Sequence, residues 1–140
     1  MLICIDSCVF IRGFSHKQSD AQQLLEWIGP KTHLMIHRLI ALEVMRNLPR
    51  EDLKFFFGLF HQNPFAHIVD GPIPQGIVDQ YIALGLAEKG DAYIGAFAEW
   101  MRVDYLISDN RHFLRELHTD AYRVLAPGDL LALLRAEGKP

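Results

Sequence analysis

The chain has 140 residues, of which 50% are hydrophobic and 22% are charged, and its formal net charge is -3. This length is typical of one domain, here residues 1–140, and the composition excludes a disordered or low-complexity chain. No apolar stretch approaches the roughly 20 residues of a membrane span, and the chain does not open with the pattern of a signal peptide, so we expect a cytoplasmic protein without a membrane partner.

The first half of the chain predicts two strands and four helices. A wholly apolar run at the N-terminus is typical of a strand buried on both faces of a parallel sheet. The predicted elements are a strand at Leu2–Asp6, a helix at Cys8–Gly13 capped by Ser7, a helix at Asp20–Ile28, a strand at His33–His37, a helix at Leu39–Asn47 and a helix at Glu51–His61.

The second half of the chain continues the alternation. Its predicted elements are a short strand at His67–Val69, a helix at Pro74–Ala87, a helix from Gly90 to Met101, a strand at Tyr105–Ser108, a helix at Asn110–Leu117, a strand at Tyr122–Leu125 and a helix at Pro127–Ala136. Strands that alternate with helices indicate parallel βαβ units. We therefore predict a three-layer α/β/α domain with a central parallel sheet of four or five strands.

The two cysteines, Cys4 and Cys8, lie in or next to the first predicted strand. We expect buried, reduced thiols there. No second Cys or His pair stands at the spacing of a zinc finger, and the two histidines of the second strand, His33 and His37, are too few for a structural zinc site.

Two aspartates directly follow apolar strands. Asp6 and Asp109 would both lie at the carboxyl edge of a parallel sheet, where such sheets bind ligands. Taken singly, each is more typical of a residue that caps the following helix.

Two further acids lie on helix faces that otherwise read as apolar. Glu43 and Asp91 each lie on the stripe of their own helix that should face the core, where an unpaired carboxylate is costly. Helix capping is the alternative for Asp91, and an ion pair with Arg38, Arg46 or an arginine of another helix is the alternative for Glu43.

If these four acids converge, their like charges need neutralisation. Carboxylate oxygens suit Mg²⁺ or Mn²⁺, and two such ions about 4 Å apart can activate water and stabilise the leaving oxygen of a phosphodiester. Setting four acids aside as metal ligands leaves a charge of +1, so the net charge neither supports nor excludes RNA as substrate. The residues alone predict a metal-dependent phosphoester hydrolase.

At these four acids the sequence resembles the PIN-domain ribonucleases, and among them the VapC-type toxins of toxin-antitoxin pairs. Four segments carry the resemblance along nearly the whole chain: Leu2–Ser7, a strand that ends in Asp and Ser; Leu42–Val44, with Glu43 on a helix; Lys89–Ala98, with Asp91 opening a helix of small and apolar residues; and Leu106–Phe113, a strand followed by Ser108 and Asp109. Cys8 departs from the family pattern, because Asn or Ser is common there. A further acid, Asp104, leaves the choice of fourth ligand open.

The resemblance implies an endoribonuclease that uses Mg²⁺ or Mn²⁺ bound by Asp6, Glu43, Asp91 and Asp109, with Ser108 as a helper and a small antitoxin as partner. A housekeeping RNA-processing nuclease and a non-catalytic protein-binding module remain open. Two other families with Asp after the first strand are disfavoured. A haloacid-dehalogenase-type phosphatase needs an Asp where Cys8 stands, and a response-regulator receiver needs an acidic pair where Ile5 and Ser7 flank Asp6.

Two further surfaces follow from the same reasoning. Basic residues that come after the first and fourth motifs are predicted to bind RNA phosphates: Arg12, Lys17, Arg111 and Arg115. The Phe-rich helix Glu51–His61 has an apolar arc too wide for its own core, which predicts an interface with a second copy or an antitoxin. Its proposed contacts are Phe55, Phe56, Phe57 and Phe60, and the alternative is a helix sandwiched within the domain.

Overall fold

Five parallel strands form one sheet in the order β3-β2-β1-β4-β5. The computed structural model describes residues 1–17, 19–86 and 89–138, with the backbone alone for Lys89. The strands are β1 Leu2–Ile5, β2 His33–His37, β3 Ala66–Val69, β4 Tyr105–Ile107 and β5 Arg123–Leu125. The predicted α/β class and parallel sheet are confirmed, with the larger of the two predicted strand numbers.

Seven α-helices flank this sheet in the described residues. They are α1 Ser7–Ser15, α2 Asp20–Leu25, α3 Arg38–Asn47, α4 Arg50–Gln62, α5 Gln75–Ala83, α6 Lys89–Trp100 and α7 Pro127–Glu137. One group forms around α1, which packs on α2, α3 and α4, while α5 packs on α6. None of the described helices combines the length and the apolarity that crossing a membrane requires.

The strand order reverses at β1, which pairs with β2 on one side and β4 on the other. Ile3, Cys4 and Ile5 are completely buried, as a central strand between two helical layers requires. In parallel sheets the crevice at such a reversal is the usual ligand site, because the loops that follow adjacent strands diverge to opposite faces. The loops after β1 and β4 carry Asp6 and Asp109.

Several predicted boundaries are corrected. Asp6, not Ser7, is the N-cap of α1, because its carboxylate accepts the Ser7 backbone N–H. Helix α5 ends at Ala83 instead of continuing to Ala87, since Gly85 adopts a positive φ of 98° that stops the helix; Ala87 itself lies outside the described residues. The helix predicted after Asp109 is a π-helical turn, His112–Glu116.

Candidate metal centre

The four predicted carboxylates line one pocket of about 230 Å³ at the carboxyl edge of the sheet. Asp6 follows β1, Glu43 projects from α3, Asp91 lies in the first turn of α6 and Asp109 follows β4. Ser7, Cys8, Ile94 and Asn110 complete the lining. Acids that are up to 103 positions apart in sequence thus line a single small space.

Asp6 is the most enclosed of the four acids, with 5% of its surface exposed. Its Oδ1 accepts the Ser7 backbone N–H at 2.8 Å, and its Oδ2 accepts the Ser108 hydroxyl at 2.9 Å. Burial raises the pKa of Asp6, and these hydrogen bonds counteract part of that effect. The site therefore holds a carboxylate whose charge is costly until a cation neutralises it.

Ser108 joins the two strand ends that carry Asp6 and Asp109. It is completely buried, donates its hydroxyl to Asp6 Oδ2, and accepts the Asn110 backbone N–H at 2.9 Å. The same hydroxyl group thus orients one acid and shapes the turn that presents the other.

Cys8 is a pocket residue whose contact with Asp6 the sequence reasoning missed. Its thiol donates to Asp6 Oδ2 over 3.6 Å and lies 3.8 Å from Ser108 Oγ. Burial, reinforced by the charge of Asp6, raises the pKa of Cys8 to about 12, so the thiol stays protonated at neutral pH. The signal was its place in the first turn of α1, two residues after Asp6.

Glu43 does not lie in the core, which corrects the prediction that its charge is buried. The core face of α3 consists of Ile40, Ala41 and Val44, and Glu43 is exposed at the edge of that face. Its carboxylate therefore reaches the pocket from the solvent side. The predicted ion pairs with Arg38 and Arg46 do not occur among the described residues.

Asp109 is held by an arginine from α1. Arg12 donates from Nε to Oδ2 at 2.9 Å and from Nη2 to Oδ1 at 3.0 Å, and its Nη1 pairs with Asp20 of α2. The hydrogen bond to Asp109 is the main reason why the pKa of Arg12 is raised. Arg12, predicted to bind RNA, is thus engaged in two ion pairs.

The donor set fits a hard, hydrated cation. Across the described residues, no three His, Cys, Asp or Glu side chains are close enough to enclose an ion directly. Mg²⁺ and Mn²⁺ keep several waters and need few direct carboxylate ligands, so a pocket lined by four acids suits them. At roughly 30 Å³ per water, its volume admits an ion with part of its hydration shell.

The three other residues predicted to bind RNA are exposed: Lys17, Arg111 and Arg115. Asp104 is excluded as the fourth ligand, because it accepts the Leu2 backbone N–H at 2.8 Å at the opposite edge of the sheet.

The Phe-rich helix α4 presents a mixed face. Phe56 is completely buried and packs edge-on against Phe10, which removes it from the predicted interface. Phe57 and Phe60 are half-buried against the core, while Phe55 is 59% exposed. Of the four rings, Phe55 is therefore the most exposed.

The fold has counterparts among solved structures. No protein-family model matches the sequence, and no curated protein matches it. The structure of VapBC2 from Rickettsia felis bound to a DNA fragment from its promoter matches with a TM-score of 0.61 and 13% identity, over 90% of this chain and 98% of that chain. A toxin-antitoxin complex from Klebsiella pneumoniae matches with a TM-score of 0.60 and 23% identity, over 89% and 97%. The PIN-like fold that the four motifs predicted is therefore confirmed, and the chain shares it with components of toxin-antitoxin complexes.

Proposed function

We propose that this chain is a metal-dependent endoribonuclease and the toxin of a toxin-antitoxin pair. The observation that carries this proposal is the single pocket lined by Asp6, Glu43, Asp91 and Asp109. Four separate segments contribute one acid each, and a purely structural role for all four would not require them to share a small space at the ligand-binding edge of the sheet.

The four carboxylates would hold Mg²⁺ or Mn²⁺, with Ser108 orienting Asp6, and the ion would supply an activated water and stabilise the leaving oxygen of a phosphodiester. Asp6 would be the fixed ligand, because backbone and hydroxyl donors hold both of its oxygens. Glu43 and Asp109 lie at the open side of the pocket, where the substrate phosphate would enter. The exposed Arg111, two residues after Asp109, would bind the adjacent RNA backbone.

The proposed partners follow from the fold and from α4. Structural likeness to chains of two toxin-antitoxin complexes supports an antitoxin as partner. A shallow groove of about 400 Å³ on the outer face of α4, lined by Phe55, Leu59 and Pro64 among others, supports a contact with that antitoxin or with a second copy.

The decisive experiment is cleavage of structured RNAs with and without Mn²⁺, with Asp6→Asn as the inactive control. Asparagine retains the helix cap of α1 but cannot offer a charged ligand. We expect cleavage by the native protein in Mn²⁺, and none in excess chelator or with the variant. Full activity in chelator would refute metal dependence, and folded, Mn²⁺-binding protein without any cleavage would favour a binding module.

A second experiment separates a toxin from a housekeeping nuclease. Induced expression should arrest growth of a bacterial host in the native form and not in the Asp6→Asn form. Co-expression of the product of the adjacent gene should restore growth. Tolerance of the active nuclease without that product would favour RNA processing.

A further inference from the structure

Arg12 forms the centre of a row of three charged side chains that runs from Asp109 in the pocket to Asp20 at the start of α2. Its guanidinium donates hydrogen bonds to both carboxylate oxygens of Asp109 and forms an ion pair with Asp20. The side chains of Arg12, Asp109 and Asp20 are 34%, 33% and 42% exposed, so all three are partly shielded from water. Two-pronged pairing of this kind is the strongest geometry that arginine offers a carboxylate.

Asp20, the second partner of Arg12, lies at a position that favours an acid and borders α7. It is the first residue of α2, where the helix dipole favours an acid. Its carboxylate also lies so close to Gly128 of α7 that a Cβ at that position would stand 2.9 Å from Oδ2. Arg12 therefore cannot follow Asp109 into the pocket without leaving Asp20.

An ion in the pocket and the guanidinium of Arg12 would compete for the carboxylate of Asp109. Asp109 lines the pocket, whereas Arg12 does not, and the two oxygens that an ion would bind are both engaged by the guanidinium. The described acids also do not gather closely enough to enclose an ion directly. An ion that enters the pocket would therefore meet an Asp109 that is already paired with Arg12.

We propose that Arg12 is the internal counter-ion of Asp109 and lowers the affinity of the pocket for a divalent cation. To bind Asp109, the cation must displace the guanidinium from its carboxylate. This inference rests on the proposed metal-binding function of the pocket. Two consequences follow. Asp109 is already neutralised in the metal-free state, and the pocket fills at a higher concentration of Mg²⁺ or Mn²⁺ than it would without Arg12.

The size of the effect can be bounded. Partly exposed ion pairs contribute little to stability, and a two-pronged arginine pair lies at or above the upper end of their range. Removal of the competing guanidinium should therefore tighten Mn²⁺ binding by roughly five- to tenfold. Loss of a positive charge near the ion acts in the same direction.

The test is Mn²⁺ binding by titration calorimetry, without RNA, to the native protein and to Arg12→Gln, with Arg123→Gln as matched control. Arg123 begins β5 at the opposite edge of the sheet, so its variant makes the same change in net charge away from the pocket. We expect tighter binding for Arg12→Gln and native affinity for Arg123→Gln. In an Asp109→Asn background, the gain from Arg12→Gln should fall by more than half.

Each other outcome is decisive. Equal or weaker binding by Arg12→Gln overturns the proposal, and weaker binding would make Arg12 a support of Asp109. If the native protein and all variants bind no Mn²⁺, the proposed metal site fails as well. Should Arg12→Gln not fold, Arg12→Lys carries the test: loss of the two-pronged grip should still tighten binding, and unchanged or weaker binding overturns the proposal.

Discussion

Ser108 Oγ lies 2.9 Å from Asp6 Oδ2 and links the ends of the adjacent strands β4 and β1. Because the hydroxyl is completely buried and also accepts the Asn110 N–H, its removal should leave two polar groups with one partner fewer. We expect Ser108→Ala to destabilise the domain by about 1–3 kcal/mol. It should also shift the acid limb of the cleavage pH profile towards higher pH, since a hydrogen bond that lowers the pKa of Asp6 is lost.

Chemical denaturation and the pH dependence of RNA cleavage would measure these two effects. Ser108→Thr is the matched control, because it keeps the hydroxyl and should preserve the position of the acid limb. If Ser108→Ala changes stability but leaves the pH profile in place, Ser108 is a structural residue that does not act on Asp6.

Asp6 makes the metal-free protein less stable as pH rises. Burial raises its pKa in the folded state, so the folded state binds the proton more tightly than the unfolded state does. The contribution of Asp6 to the free energy of unfolding is fully present below its unfolded pKa of about 3.9. It is lost as the pH rises through the higher pKa of the folded state. In chelator, Asp6→Asn should therefore be more stable than the native protein at neutral pH.

This difference should shrink as the pH falls towards 4, and excess Mn²⁺ should reverse it, because the ion stabilises only the native carboxylate. Thermal unfolding of both proteins across this pH range measures it. Asparagine caps helices about as well as aspartate does, so a variant that is less stable than the native protein at every pH would refute the view that the buried charge of Asp6 destabilises the metal-free fold.

The sequence was most informative about backbone and least informative about pairing between distant side chains. Continuous apolar runs located β1, β2 and β4, and therefore the acids that follow β1 and β4, because strand ends in a parallel sheet share an edge. The contact of Arg12 with Asp109 joins residues 97 positions apart, and nothing local to either residue predicts it. The sequence therefore predicted Arg12 to be a cation available for RNA.

Helix faces were harder to assign, because neighbouring residues differ by 100° around the axis. An error of one position moved Glu43 from the exposed edge of α3 into the predicted core. The same ambiguity placed Phe56 with Phe55 on the predicted interface of α4, although one ring is buried and the other exposed. The packing of α4 against α1, where Phe56 meets Phe10 and Phe14, distinguishes the two rings.

Cys8 should be unreactive at the pH where thiols are usually labelled. With a pKa of about 12, few native molecules carry the thiolate at pH 8. We expect slow alkylation by iodoacetamide in the native state and rapid alkylation in urea, with fragment-ion mass spectrometry to separate Cys8 from Cys4. Because the folded pKa exceeds the unfolded value of 9.0, stability should also fall as pH rises from 9 towards 12.

A native Cys8 that reacts as fast as it does in urea would mean that the pocket opens readily to solvent. Cys8→Ser is the control for the pH effect: it keeps a donor towards Asp6 but should remove the contribution of Cys8 to the loss of stability above pH 9.

Phe55 and Phe56 are neighbours on α4 with opposite environments, which allows core and interface roles to be separated. Phe56 is completely buried against Phe10, Phe14, Phe57 and Phe60. Its replacement by Ala should cost about 3–5 kcal/mol, the usual price of emptying an aromatic core site. Phe55 is 59% exposed beside Lys54, whose Nζ lies 5.1 Å from the ring, so Phe55→Ser should change stability by less than about 0.5 kcal/mol.

The same Phe55→Ser variant should weaken association with a second copy or an antitoxin, because burial of an exposed ring would contribute to either contact. Light scattering over a range of concentrations, alone and with the product of the adjacent gene, measures this association. His61→Ser is the matched control, since it alters an exposed position of the same helix outside the groove. Unchanged association of Phe55→Ser in both measurements would show that partners bind elsewhere, and the outer face of α4 would then be ordinary solvent-exposed surface.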